Sequence, residues 1–274
     1  MRGPVWWRGL SPRRRLLLGG VAAVLVAAGV VSTVLSLGGN DLPDAGRPAQ
    51  DQLGPVLLVP GYGGGQGGLD ALAGKLRNAG RDAQVLTLPG DGTGDLLAQV
   101  DVLSGAVAAA YAHGAPSVDV IGYSAGGVVV RLWVARSGGD HQARRVVTLG
   151  SPLHGAKIAA VGSALVPGAC PVACRELAPG SALLRTVEDQ PVPGGLPWLS
   201  LWTEDDQTVT PPDSARLDGA VNVPLQQVCA DSRAQHGDLP TDAAVTGLVL
   251  RALGTAPLTP PTAADCTTLR AGGD

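Results

Sequence analysis

The chain of 274 residues contains no phenylalanine, one methionine and three tyrosines, and aromatic residues make up 3% of it. Beside 40 glycines this scarcity reads as compositional bias and excludes no function by itself. Other absences exclude more. No Gly-Lys-Ser or Gly-Lys-Thr occurs, so a phosphate-binding loop of that kind is ruled out. The first forty residues hold five arginines and no acid. The other 234 therefore carry 15 basic against 23 acidic residues, a formal charge of −8, where the whole chain has −3. So acidic a body is repelled by phosphates, and nucleic-acid binding, which needs Lys and Arg clusters, is excluded. Hydrophobic residues at 45% and charged residues at 16% suit a folded core and exclude wholesale disorder. The length suffices for one full-sized domain or two small ones.

Arg13, Arg14 and Arg15 run into Leu16–Leu37, 22 residues without a charge. A helix of that length spans about 33 Å, enough for a bilayer core of roughly 30 Å. A cleaved signal usually has a shorter apolar region, and no small-x-small cleavage site stands out after Leu37. The expected organisation is a basic region over 1–15, a transmembrane anchor or signal sequence over 16–38, a flexible Gly- and Pro-rich linker over 39–54, and a folded domain over 55–270. That domain is expected outside the cell membrane, or secreted if the segment is cleaved.

Cys170, Cys174, Cys229 and Cys266 fit an oxidising compartment as two disulfides, for which three pairings exist. Sequence neighbours meet most easily, which favours 170–174 with 229–266. A zinc site is the competing reading. Cys-x3-Cys has no nearby His and the second pair is far apart, so no metal is expected.

From Pro55 onward strands and helices alternate. Strands are expected at Val56–Val59, Ala83–Leu88, Val118–Gly122, Val146–Gly150, Trp198–Thr203 and Val221–Gln226. Helices are expected at Leu69–Ala79, Asp95–His113, Ala125–Ser137 and Thr241–Leu253. Continuous apolar strands alternating with helices imply a mostly parallel sheet covered on both faces, an α/β domain. Ala156–Pro197 breaks the alternation and reads as an insertion over the carboxyl edge, where ligands bind in such sheets.

Gly122-Tyr123-Ser124-Ala125-Gly126 stands between a strand and a helix. A serine there is lifted above the sheet on a strained turn at a helix N-terminus, where developing negative charge is favoured. The bland alternative is a serine that merely caps the helix. With this motif the chain resembles the α/β-hydrolases, and among them the small bacterial triacylglycerol lipases and esterases, over about Pro55 to Leu253. Val56-Leu57-Leu58-Val59-Pro60-Gly61-Tyr62-Gly63-Gly64 is similar to the family's oxyanion loop, with Pro60 where the family commonly has His. Thr148-Leu149-Gly150-Ser151-Pro152-Leu153-His154-Gly155 and Arg216-Leu217-Asp218-Gly219-Ala220-Val221-Asn222-Val223 resemble the loop after the next strand and the approach to the catalytic histidine.

A serine nucleophile needs a base, and the base an acid to orient it. In this fold the order is Ser, acid, His. Of four histidines, His113 precedes the serine, His141 lies in a charged loop on the wrong side of the sheet, and Asp140 is the only acid between Ser124 and His154. His236 remains as base. The acid belongs after the penultimate strand, at Glu204, Asp205 or Asp206; Asp206-Gln207-Thr208-Val209-Thr210-Pro211 resembles the family's Asp-x-x-Val segment and favours Asp206 over Asp205. The resemblance implies an oxyanion hole made by the N–H groups of Tyr62 and Ala125, and Tyr62 and Tyr123 as candidates for lining an acyl pocket.

The expectation is a serine hydrolase of carboxylic esters, with an acyl-enzyme intermediate, working as a monomer on a lipid or other ester substrate. Acyl transfer by the same triad and a non-catalytic binding protein on a hydrolase scaffold are the alternatives. Gly63-Gly64-Gly65-Gln66-Gly67-Gly68 satisfies a dinucleotide pattern but starts too far beyond Val59, so no cofactor is expected.

Overall fold

Short runs rich in Val, Leu and Ile form six strands: β1 (Val56–Val59), β2 (Ala83–Val85), β3 (Val118–Tyr123), β4 (Ala143–Leu149), β5 (Trp198–Trp202) and β6 (Val221–Pro224). The computed structural model in which they are seen describes residues 46–160 and 170–274. The expected anchor or signal at 16–38 lies outside those residues. Among the described residues no helix is long and apolar enough to cross a membrane.

The strands make one sheet in the order β2-β1-β3-β4-β5-β6, and every pairing is parallel. Parallel strands cannot be joined by hairpins, so the chain must cross over between them, and the crossovers cover both faces. The longer helices are α1 (Gly67–Asn78), α2 (Leu96–Ala112), α3 (Ala125–Arg136), α4 (Ala243–Ala252) and α5 (Cys266–Gly273). Alternation along β1 divides its side chains between two cores. Leu57 and Val59 share one core with Val100 and Leu103 of α2 and Val129 and Trp133 of α3, while Val56 and Leu58 share the other with Leu69 and Leu72 of α1 and Val245 and Leu248 of α4. Each such side chain fully buried contributes about 1.5–3 kcal/mol.

At the amino edge of the sheet lies a charged cluster. Asp119 of β3 is fully buried and accepts from Arg81 at 2.6 Å and Arg144 at 2.5 Å. A helix leaves its last carbonyls without partners, and these arginines supply donors at the end of α4. Arg145 donates to Ala252 O, Arg81 and Arg144 to Leu253 O, and Arg144 also to Gly254 O. Burial, then the neighbouring Arg144, pushes the Arg145 guanidinium below its ordinary value.

Several boundaries differ from expectation. The part of the expected linker that is described, 46–54, is pinned to this edge: Gln50 bonds to Arg144 and Arg145, and Ser117 donates to Gln52 O. Strand β4 starts at Ala143 and not at Val146, and Arg144 and Arg145 at its beginning are buried. Strand β6 ends at Pro224, and a helical turn, Leu225–Val228, separates it from Cys229. The segment after α4 ends in α5, which runs past residue 270 and packs on α4 so closely that a side chain at Gly247 would strike Leu269 O. The bridges are Cys170–Cys174 and Cys229–Cys266. The second joins residues 37 apart, ties α5 to the turn after β6, and in the chain-entropy account contributes about 4 kcal/mol.

Candidate active site

The loops that follow the carboxyl ends of β1, β3, β4, β5 and β6 converge on Ser124. Its φ is 53° and its ψ −127°, the one positive φ outside glycine among the described residues. Such a conformation is strained for an L-residue and persists only where the surroundings impose it. Here they do: a Cβ at Gly126 would lie 2.2 Å from Val59 O, and one at Gly122 would lie 2.5 Å from Gly127 Cα. The turn can therefore press against β1 and α3 only with glycine on each side of the serine. Ser124 occupies the cap position of α3, yet its side chain makes no capping bond.

Instead its Oγ lies 3.0 Å from His236 Nε2. His236 Nδ1 lies 2.7 Å from Asp206 Oδ2, and both residues are buried. The other oxygen of Asp206 accepts from the N–H groups of Thr208 at 2.8 Å and Val209 at 2.7 Å. These bonds form a local turn that fixes the carboxylate, which explains the value of the Asp-x-x-Val spacing. Asp205 has no such place; its N–H donates to Thr203 Oγ1. Thr203 Oγ1 in turn donates to Ala234 O at 2.6 Å, tying the acid's loop to the histidine's.

The other histidines stand apart. His113 Nδ1 is bonded to Ala109 O, His154 Nε2 to Arg216 O, and His141 pairs with Asp140.

Tyr62 and Ala125 flank the serine. Ala125 opens α3, so its N–H has no acceptor within the helix. Among the described residues no protein acceptor bonds the N–H of either one. Gly61 lies against Ser124, where a Cβ would come within 2.9 Å of the serine's own. The loop of Tyr62 is braced by Gly63 N–H donating to Gly92 O and Gly64 N–H to Gly61 O. A cavity of about 250 Å³ opens at Ser124, walled by Tyr62, Pro152, Ala156, Ile158, Leu177 and Val209. Of the two tyrosines considered for such a pocket, Tyr62 lines it; Tyr123 is turned to His236 instead. The insertion after β4 does reach over the carboxyl edge, and Cys174 of its disulfide joins the cavity wall.

Sequence reasoning missed Arg131. It is buried on α3 and donates to Leu153 O and Val187 O, which fastens the insertion to the body. A larger cavity, about 720 Å³, lies at the opposite edge of the sheet beside Leu53, Arg81 and His113. It contains no nucleophile and base in contact, so chemistry and not size selects the site.

No protein-family model and no curated protein matches the sequence. Solved structures do match. The mature form of a Bacillus licheniformis lipase is 19% identical, with a TM-score of 0.61 over 78% of this chain and 95% of its own. Lipase B of Aspergillus fumigatus is likewise 19% identical, with a TM-score of 0.66 over 83% of this chain and 58% of its own. At such identity a likeness speaks for architecture, and it agrees with the parallel sheet and the turn after β3: the chain has the fold of the α/β-hydrolase superfamily.

Proposed function

We propose that the protein is a carboxylic ester hydrolase of the lipase or esterase type, acting through an acyl-enzyme on Ser124. The observation that carries this reading is the unbroken chain of contacts Ser124–His236–Asp206, at 3.0 and 2.7 Å, beside an apolar cavity. His236 Nε2 takes the proton from Ser124 Oγ as that oxygen attacks the ester carbonyl. Asp206 fixes the imidazole's tautomer and offsets the positive charge that forms. The N–H groups of Tyr62 and Ala125 receive the carbonyl oxygen as it becomes an oxyanion, each such donor being worth about 2.7–4 kcal/mol in the transition state. His236 returns the proton to the leaving alcohol, and water repeats the sequence to release the acid.

The substrate is an apolar ester, lipid included, since Tyr62 and Ile158 present exposed apolar surface at the cavity. Two disulfides and the arginine-flanked apolar segment at 16–38 support export, with that segment as anchor or signal, and we take the working unit to be a monomer.

The acid assignment has a sharp test. Asp206→Asn is expected to lower kcat on a p-nitrophenyl ester by about 10⁴-fold, because the amide favours the wrong imidazole tautomer. Asp205→Asn is expected to stay within a few-fold of the parent protein. The reverse ranking would move the role to Asp205.

A further inference from the structure

Tyr123 precedes the proposed nucleophile and takes no part in the steps above. Its ring lies beside the imidazole of His236, with centroids 5.2 Å apart and planes tilted by 32°. Its hydroxyl donates to the carbonyl oxygen of the same residue at 3.1 Å. The tyrosine thus holds the base at two points, backbone and ring, from the strand that carries the serine. Burial, then Asp206 and Asp238, pushes the hydroxyl up to about 12. It remains a donor across any working pH.

We infer that Tyr123 is a positioning residue that seats His236 over Ser124 and stabilises the imidazolium formed when Ser124 gives up its proton. This rests on the triad proposed above. An aromatic face attracts a cation within about 6 Å of the ring centroid. That charge develops on His236 as Ser124 gives up its proton, so the ring acts on the barrier and not on substrate binding. Around His236, Asp206 comes from the loop after β5, and Ser124 and Tyr123 from the end of β3 and its turn. Gly150 lies against the imidazole.

The test is kcat and KM for Tyr123→Phe, Tyr123→Leu and Tyr123→Met. Rates are expressed per site titrated with a fluorophosphonate, which separates a slow variant from an unfolded one. Phe keeps the ring and loses the hydroxyl, and is expected within about threefold of the parent in kcat. Leu and Met remove the ring. They are expected to lose about tenfold in kcat at unchanged KM. Leu and Met variants with parental kcat would overturn the inference, as would a Phe variant as impaired as the other two. Failure of the reagent to label Ser124 in the parent protein would overturn the triad itself, an outcome separable from both.

Discussion

Ser124→Ala is expected to lower ester turnover by about a millionfold and to leave the melting temperature within a few degrees of the parent protein's. The size of the loss follows from the way triad members act as one unit. Once the nucleophile is gone the base and acid have nothing to activate, and only the oxyanion donors and substrate binding remain, worth about 10³–10⁴ over water. The small effect on stability follows from the contacts. The hydroxyl caps no helix and its partner is His236 Nε2 at the edge of the cavity. Alanine keeps the same backbone geometry and leaves no new group buried. Hydrolysis of p-nitrophenyl esters, measured with enough protein to see the residual rate, checks the first part, and thermal unfolding the second. A variant within a hundredfold of the parent would mean that another group attacks the ester.

Asp119→Ala is expected to be the most damaging single change far from the site. The carboxylate is fully buried between Arg81 and Arg144, which are 9% and 0% exposed in their side chains. Removing it leaves two guanidiniums in the interior with backbone carbonyls but no counter-charge, and breaking a buried pair from one side costs about 3–5 kcal/mol. For a domain of this size that corresponds to a fall in melting temperature of roughly 10 °C. Among the described residues one oxygen of Asp119 and the Nε of Arg144 have no hydrogen-bond partner. The arginines also supply the carbonyls at the end of α4 and hold Gln50. The damage is therefore expected to loosen α4 and residues 46–54 together, read as faster amide exchange at both. An unchanged melting temperature would mean that the carbonyl bonds alone satisfy the arginines.

Much of this architecture was legible in the sequence because it follows from short-range rules. Val56–Val59 is a strand with the expected bounds, and Asp95 and His113 close the ends of α2 as capping residues. The serine turn was readable because glycine at 122 and 126 answers a steric demand; His236 could be proposed as base because only four histidines exist, and Asp206 as acid through the resemblance of its Asp-x-x-Val segment. What was not legible depends on partners distant in the chain. Arg131, Arg144 and Arg145 had no assigned role, since nothing local shows that carbonyls up to 111 positions away will receive them. Ala83–Leu88 was read as one strand, yet the ladder stops at Val85 although Leu86 and Leu88 stay buried. Burial and strand pairing are separate properties, and apolarity reports only the first. The helix α5 lacks a long apolar stripe and is held by the Cys229–Cys266 bridge and by glycine-mediated contact with α4. Residue type left Tyr123 open between a pocket wall and a ring packed on the core, and only the fold turns it to the histidine.

The central claim is that Ser124 is the atom-bearing nucleophile of a covalent mechanism. It is tested most directly by treating the protein with a fluorophosphonate and mapping the adduct by peptide mass spectrometry. The account predicts a single adduct, on Ser124, with ester hydrolysis lost in proportion to labelling, and no adduct in Ser124→Ala or in His236→Ala over the same time. Stoichiometric labelling of a different residue with loss of activity, or full activity in protein labelled at Ser124, would contradict it.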